Sequence, residues 1–164
     1  MQINGGPAKT HNVCTLGMRL TAFTDYCLRV LIYLARAPEG RATIARIALA
    51  FDISEHHLAK VVNFLGAEGL LLNTRGHGGG LRLARTPSAI NVAEVVRLAE
   101  GDALPVECFD RPSNTCPLAG GCGLERVLRE AVKSFYASLE RYSIADLQMQ
   151  PRALRILFER APSP

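Results

Sequence analysis

Apolar residues recur at helical spacing in several stretches of the chain. Phe23, Cys27, Leu28, Leu31, Ile32 and Leu34 line one face over residues 21–36, which predicts an amphipathic helix capped by Thr21 or Thr24 and ended before Pro38 and Gly40. Thr43 then caps a short helix running to Ala50, with Ile44, Ile47 and Ala48 inward, and Phe51-Asp52-Ile53 forms a tight turn. Ser54 caps the next helix, which turns Leu58, Val61, Val62 and Leu65 inward. Two short helices across such a turn predict a helix-turn-helix. Leu70–Thr74 and Leu81–Arg85 follow as strand candidates joined by Arg75-Gly76-His77-Gly78-Gly79-Gly80. A hairpin straight after a helix-turn-helix is the wing of a winged helix.

Beyond Thr86-Pro87-Ser88, Asn91 and Glu94 have capping-box spacing, and Val92, Val95, Val96 and Leu98 carry a short helix to Gly101. Residues 107–123 have no period. Leu124, Val127, Leu128, Ala131, Val132, Phe135, Leu139 and Tyr142 then form one long stripe, with Glu125–Arg129 and Arg126–Glu130 pairs opposite. That stripe exceeds what a small winged domain needs to cover itself, so a second copy of the same helix is the expected partner. The reading is mainly α with a small β-hairpin wing. Residues 1–17 form a disordered extension, with translation starting either there or at Met18, and Cys14 has no assigned role. Residues 18–90 are the winged helix-turn-helix DNA-binding domain, 91–123 a short helix and cysteine loop, and 124–148 a dimerisation helix. Residues 149–164 are a poorly ordered tail with an amphipathic stretch over 153–158.

Charge points the first half toward a polyanion. Residues 1–90 hold ten Lys or Arg against five Asp or Glu, whereas residues 91–164 hold nine against ten. Ser54, His56, His57, Lys60 and Asn63 on the second helix suit phosphates and base edges in a major groove, with Glu55 on the same face. Arg75 and His77, with Gly78 and Gly79 allowing close backbone approach, suit a minor groove. Arg82 and Arg85 add basic charge beside the wing. The glycine run joins two strands and opens no helix, so it is not a dinucleotide fingerprint. No apolar run approaches the roughly 18 residues of a membrane span, and the first 17 residues have no secretory core. A cytoplasmic protein is expected, and with no nucleophile, base and orienting group to place together, not an enzyme.

The segment ECFDRPSNTCPLAGGCG brings Cys108, Cys116 and Cys122 into an irregular loop rich in Pro and Gly. Thiols clustered in a cytosolic protein more often hold metal than a disulfide. A closed site needs a fourth ligand, which a carboxylate, distant sequence, another subunit or solvent could supply. The wide spacing counts against structural zinc, although a zinc-stabilised DNA-binding protein and a cysteine-based redox regulator stay open as alternatives. Cys27 lies on the apolar face of the first helix and reads as core.

MRLTAFTDYCLRVLIYLA from Met18, SEHHLAKVVNFL, TRGHGGGLRL, INVAEVVRLAEG, the three cysteines and SFYASLERYSIADL together resemble the bacterial winged-helix iron-sulfur regulators, in particular their nitric-oxide-sensing repressors. The resemblance implies a homodimer on palindromic double-stranded operator DNA with nitric oxide as signal. It also implies a [4Fe-4S] cluster held by Cys108, Cys116, Cys122 and Asp25 of the other subunit. A [2Fe-2S] cluster is the alternative, disfavoured because Glu125 stands where one branch of the family has a histidine. Regulation by cluster status or oxidants is the alternative signal. The gap between Cys108 and Cys116 is longer than is usual in that family.

Overall fold

The computed structural model describes residues 20–74, 79–101, 109, 114–118, 120–147 and 149–160. The expectations for residues 1–17, and for Arg75, His77, Gly78 and Cys108, lie outside these described residues. The element order is α1 (Ala22–Arg36), α2 (Ile44–Phe51), α3 (Glu55–Ala67), β1 (Leu71–Thr74), β2 (Gly80–Leu83), α4 (Val92–Glu100), α5 (Gly123–Leu139) and α6 (Pro151–Glu159), with single 3-10 turns at Pro87–Ala89 and Ile144–Asp146.

Thr21 caps α1 by accepting from the Thr24 amide, Thr43 caps α2 through the Arg46 amide, and Ser54 caps α3 through the His57 amide. Each cap satisfies an N–H that the first helical turn leaves without a partner. Between α2 and α3 the chain reverses at Asp52, whose φ of 54° places it in the left-handed region that Asp tolerates better than most side chains. Val30, Leu31 and Leu34 of α1 meet Ile47 of α2 and Leu58, Val61 and Leu65 of α3 in the core. A fully buried Leu or Ile of this kind stabilises by about 1.5–3 kcal/mol.

The wing is an antiparallel hairpin in which Leu71 pairs with Leu83 and Thr74 with Gly80. It is tied to the helices by Ala42, which exchanges two backbone hydrogen bonds with Leu81 (3.0 and 2.8 Å). Gly80 is required there: its φ is 148°, and a Cβ would sit 3.0 Å from the Ala42 carbonyl oxygen.

Asn91 caps α4 through the Ala93 and Glu94 amides, but the reciprocal half of the expected capping box is replaced by an ion pair. Glu94 reaches back to Arg85 (2.7 Å), so Arg85 braces α4 against the wing stem rather than adding a free cation beside the wing. The long stripe also divides. The helix ends at Leu139 rather than near 148, and the chain folds back so that the Val92 amide meets the Tyr142 carbonyl (2.9 Å) and the Ile144 amide meets the Ile90 carbonyl (2.9 Å). Phe135, Tyr136 and Leu139 therefore pack on the core. Leu124 and Val127, 61% and 51% exposed, do not. The C-terminal stretch is a formed helix: α6 returns to the winged domain with Leu157 buried and Phe158 against Tyr33 (5.2 Å).

Candidate functional site

Two regions gather the residues singled out from sequence. The first is the exposed side of α3 and the wing. His56, His57, Lys60 and Asn63 are all exposed on α3, because Leu58, Val61, Val62 and Leu65 occupy the opposite face. Ser54 sits at the N-cap with its hydroxyl accepting from His57 (3.2 Å). An open groove of about 410 Å³ lies between the starts of α2 and α3 and the wing, lined by Thr43, Ile44, Ala45, Glu55, Asn73, Gly79, Gly80 and Leu81. Two helix N-termini face it, and their partial positive charge favours phosphate. Gly79, half-buried just before β2, is the described one of the expected wing contacts Arg75, His77, Gly78 and Gly79. Arg82 spans the hairpin to the Thr74 hydroxyl (3.4 Å).

This face is coupled to α1 by two ring contacts. Phe23 meets Phe64 edge-on at 5.2 Å, and Tyr26 lies over His57 at 6.5 Å with 24° between the rings. Neither contact was legible from helical spacing, since Tyr26 and His57 both lie off the apolar stripes.

The second region is the cysteine segment. Cys116 and Cys122 are half-buried free thiols. The Cys116 amide donates to the Asn114 side chain (2.9 Å) in a local turn. Cys122 occupies the N-cap of α5 and makes no side-chain cap bond, so its sulfur is left for another partner at a helix end that favours anions. The adjoining cleft of about 440 Å³ is lined by Gly120, Gly121, Cys122, Gly123, Glu125, Arg126 and Arg129. Arg129 pairs with Glu125 (2.9 Å) and lies over the Phe109 ring (4.3 Å), which pins the start of the loop to α5.

Asp25 projects from the first turn of α1 with its side chain 46% exposed, paired with Arg29 at 2.7 Å. Arg29 in turn lies over the Phe51 ring at 5.7 Å. Two residues on, Cys27 is fully buried, and burial pushes its thiol up to about 12; it is core, as its position on the stripe predicts. Within one chain, Asp25 and the described cysteines are not brought together: among the described residues no three His, Cys, Asp or Glu side chains gather. The donor set nevertheless fits iron, with soft, half-exposed sulfurs on one segment and an accessible carboxylate elsewhere.

Glu100 was missed from sequence. Its carboxylate accepts from the Thr21 amide (2.9 Å), the Thr21 hydroxyl (3.1 Å) and the Thr24 hydroxyl. Partial burial raises its pKa, but the bonds from Thr24 and Thr21 outweigh that and hold it below the usual carboxylate value. The signal was present: an acid in the last turn of a helix opposes the dipole and calls for a partner.

The Rrf2 profile, described as iron-dependent transcriptional regulators, matches residues 20–150. The chain belongs to the Rrf2 family. Among Rrf2-type relatives it is 47% identical over 131 residues to the HTH-type transcriptional regulator NsrR of Bacillus subtilis (strain 168), covering 79% of this chain and 90% of that one. It is 42% identical over 143 residues to NsrR of Shouchella clausii (strain KSM-K16), covering 87% and 96%. CymR, the global cysteine regulator of B. subtilis, superposes with a TM-score of 0.61 at 30% identity, covering 79% and 95%. T. potens IscR shares the fold, with a TM-score of 0.65 at 24% identity, covering 84% and 96%. This Rrf2 protein is thus a DNA-binding transcriptional regulator of the NsrR type, not an enzyme. No helix among the described residues is long and apolar enough to cross a membrane.

Proposed function

We propose that this Rrf2 regulator is a nitric-oxide-responsive repressor. It acts as a homodimer that holds a [4Fe-4S] cluster in each subunit through Cys108, Cys116, Cys122 and Asp25 of the other subunit. Residues 18–90 form its DNA-binding domain and residues 124–148 its dimerisation segment. The observation that carries the reading is the pair of free thiols, Cys116 and Cys122, the second at the N-cap of a helix whose apolar residues Leu124 and Val127 are uncovered in the single chain. Relatives named NsrR supply the signal.

When bound, such a cluster supplies iron that can exchange protein ligands for nitric oxide. Asp25 is the single oxygen donor among sulfurs and has a second partner, Arg29, within its own helix. Its choice between the two decides whether α1 of one subunit is tied to the loop of the other. Because α1 carries α3 through Phe23–Phe64 and Tyr26–His57, a displaced α1 moves the recognition helix. His56, His57, Lys60 and Asn63 then lose register with a second half-site one helical turn away. Ser54 serves phosphate contacts of each half-site, and the wing residues Arg75 and His77, with Gly78 and Gly79 allowing close backbone approach, serve its minor groove.

The test is anaerobic reconstitution with iron and sulfide counts, followed by operator binding with and without nitric oxide. The expected result is a cluster-loaded dimer that binds operator and releases it on nitric oxide. Equal operator affinity for cluster-free, loaded and nitric-oxide-treated protein would overturn the reading.

A further inference from the structure

Glu100 joins the start of α1, which carries Asp25, to the end of α4. Its partners Thr21 and Thr24 belong to the cap and first turn of α1. Thr24 is fully buried and precedes Asp25. Glu100 itself is the last residue of α4, which Gly101, with φ of 57°, ends. One carboxylate therefore ties the end of α4 to the helical turn that presents Asp25. Three donors offset the unfavourable placement of an acid at a helix C-terminus. A bare surface acid would have no such arrangement.

We propose that Glu100 is a positioning residue for the shared metal site: it fixes the first turn of α1, from which a subunit offers Asp25 to its partner. This rests on reading Asp25 and the loop cysteines as cluster ligands. In a symmetric dimer each Glu100 lock stiffens the Asp25 end of the exchange, so the carboxylate reaches iron without first ordering the start of α1. Groups that orient a ligand without touching the metal typically change affinity by about 10–100-fold when removed.

The experiment compares Glu100→Ala and Glu100→Gln with the wild-type chain. In cluster-free protein, hydrogen exchange at the Thr21 amide should quicken about tenfold in E100A, while the α3 amides stay protected. In anaerobically reconstituted protein, E100A should begin with wild-type iron and sulfide but lose its visible absorption to a chelator about tenfold faster. E100Q, which keeps an acceptor oxygen, should fall between. Unchanged Thr21 exchange would show that the lock does not hold in solution; faster exchange with a wild-type rate of cluster loss would make Glu100 merely structural. Should E100A fail to fold, E100Q and Thr24→Val, which removes one donor to Glu100 and leaves the Thr21 cap of α1 in place, carry the same comparison. A wild-type chain that takes up no cluster would sink the ligand reading and this inference together, whereas normal wild-type loading with unchanged loss in E100A would sink only the inference.

Discussion

Replacing Asp25 by Ala should separate the metal site from the fold. Among the described residues the carboxylate pairs with Arg29 at i,i+4, and the two side chains are 46% and 41% exposed. Such a pair contributes about 0.3–0.5 kcal/mol, and an acid in the first turn adds about 0.3–1 kcal/mol through the helix dipole. Ala also has the highest helix propensity, which returns a few tenths of a kcal/mol. The net loss is about 1 kcal/mol or less, or about 2–4 °C in the Tm of a domain this size. Cluster retention should change far more, because one of four ligands is gone. The assay pairs thermal unfolding of cluster-free D25A, followed by circular dichroism, with the anaerobic decay of visible absorption after reconstitution. A Tm lowered by more than about 8 °C would mean that Asp25 has a structural role beyond the Arg29 pair. A wild-type decay rate would remove Asp25 from the ligand set.

Val127→Glu places a charge on the uncovered face of α5, where a residue 51% exposed should alter the stability of the single chain by no more than about 0.5 kcal/mol. If the proposed dimer forms through this face, light scattering should nevertheless show dimeric wild type and monomeric V127E, and an unchanged dimer would move the interface elsewhere. Lys60→Ala should weaken DNA binding similarly on operator and random duplex and reduce the salt slope by about 1; a loss confined to operator would make Lys60 a base reader. The depressed pKa of Glu100 makes its contribution complete above the unfolded value near 4.5 and lost as pH falls through the lower folded value. Denaturant melts of wild type and E100Q should therefore converge as pH is lowered from 6 to 3, and a gap that stays constant would contradict the Glu100 lock.

The helices of the winged domain were legible because each has both a cap and a period. Thr21, Thr43, Ser54 and Asn91 cap the helices as expected, and the inward residues of α3 are the ones that 3.6-residue spacing selects. The end of α5 was not legible, since Leu139 and Tyr142 continue the apolar stripe; the backbone bonds of Tyr142 and Ile144 to the segment around Ile90 stop the helix instead. Arg85 and Glu94 each fitted a local role, in the wing and in a capping box. Their mutual attraction across the fold replaced both. The α6 helix depends in the same way on a surface that only the folded domain offers, around Tyr33.

For the candidate site, the sequence by itself determined the chemistry: which residues are thiols, which acids begin helices, and which polar groups share a face of α3. Those are properties of residue type and short-range period, and they need no partner to be read. Tertiary structure decided what those groups meet. It set Tyr26 over His57, gave Asp25 the Arg29 guanidinium, left Cys122 at a helix end without a cap bond and brought Glu100 to Thr21 and Thr24 across 79 and 76 residues of sequence. A contact over that separation leaves no period along the chain. It forms only because α1 and α4 bury their apolar faces in the same core, and that packing carries the polar groups at their ends together.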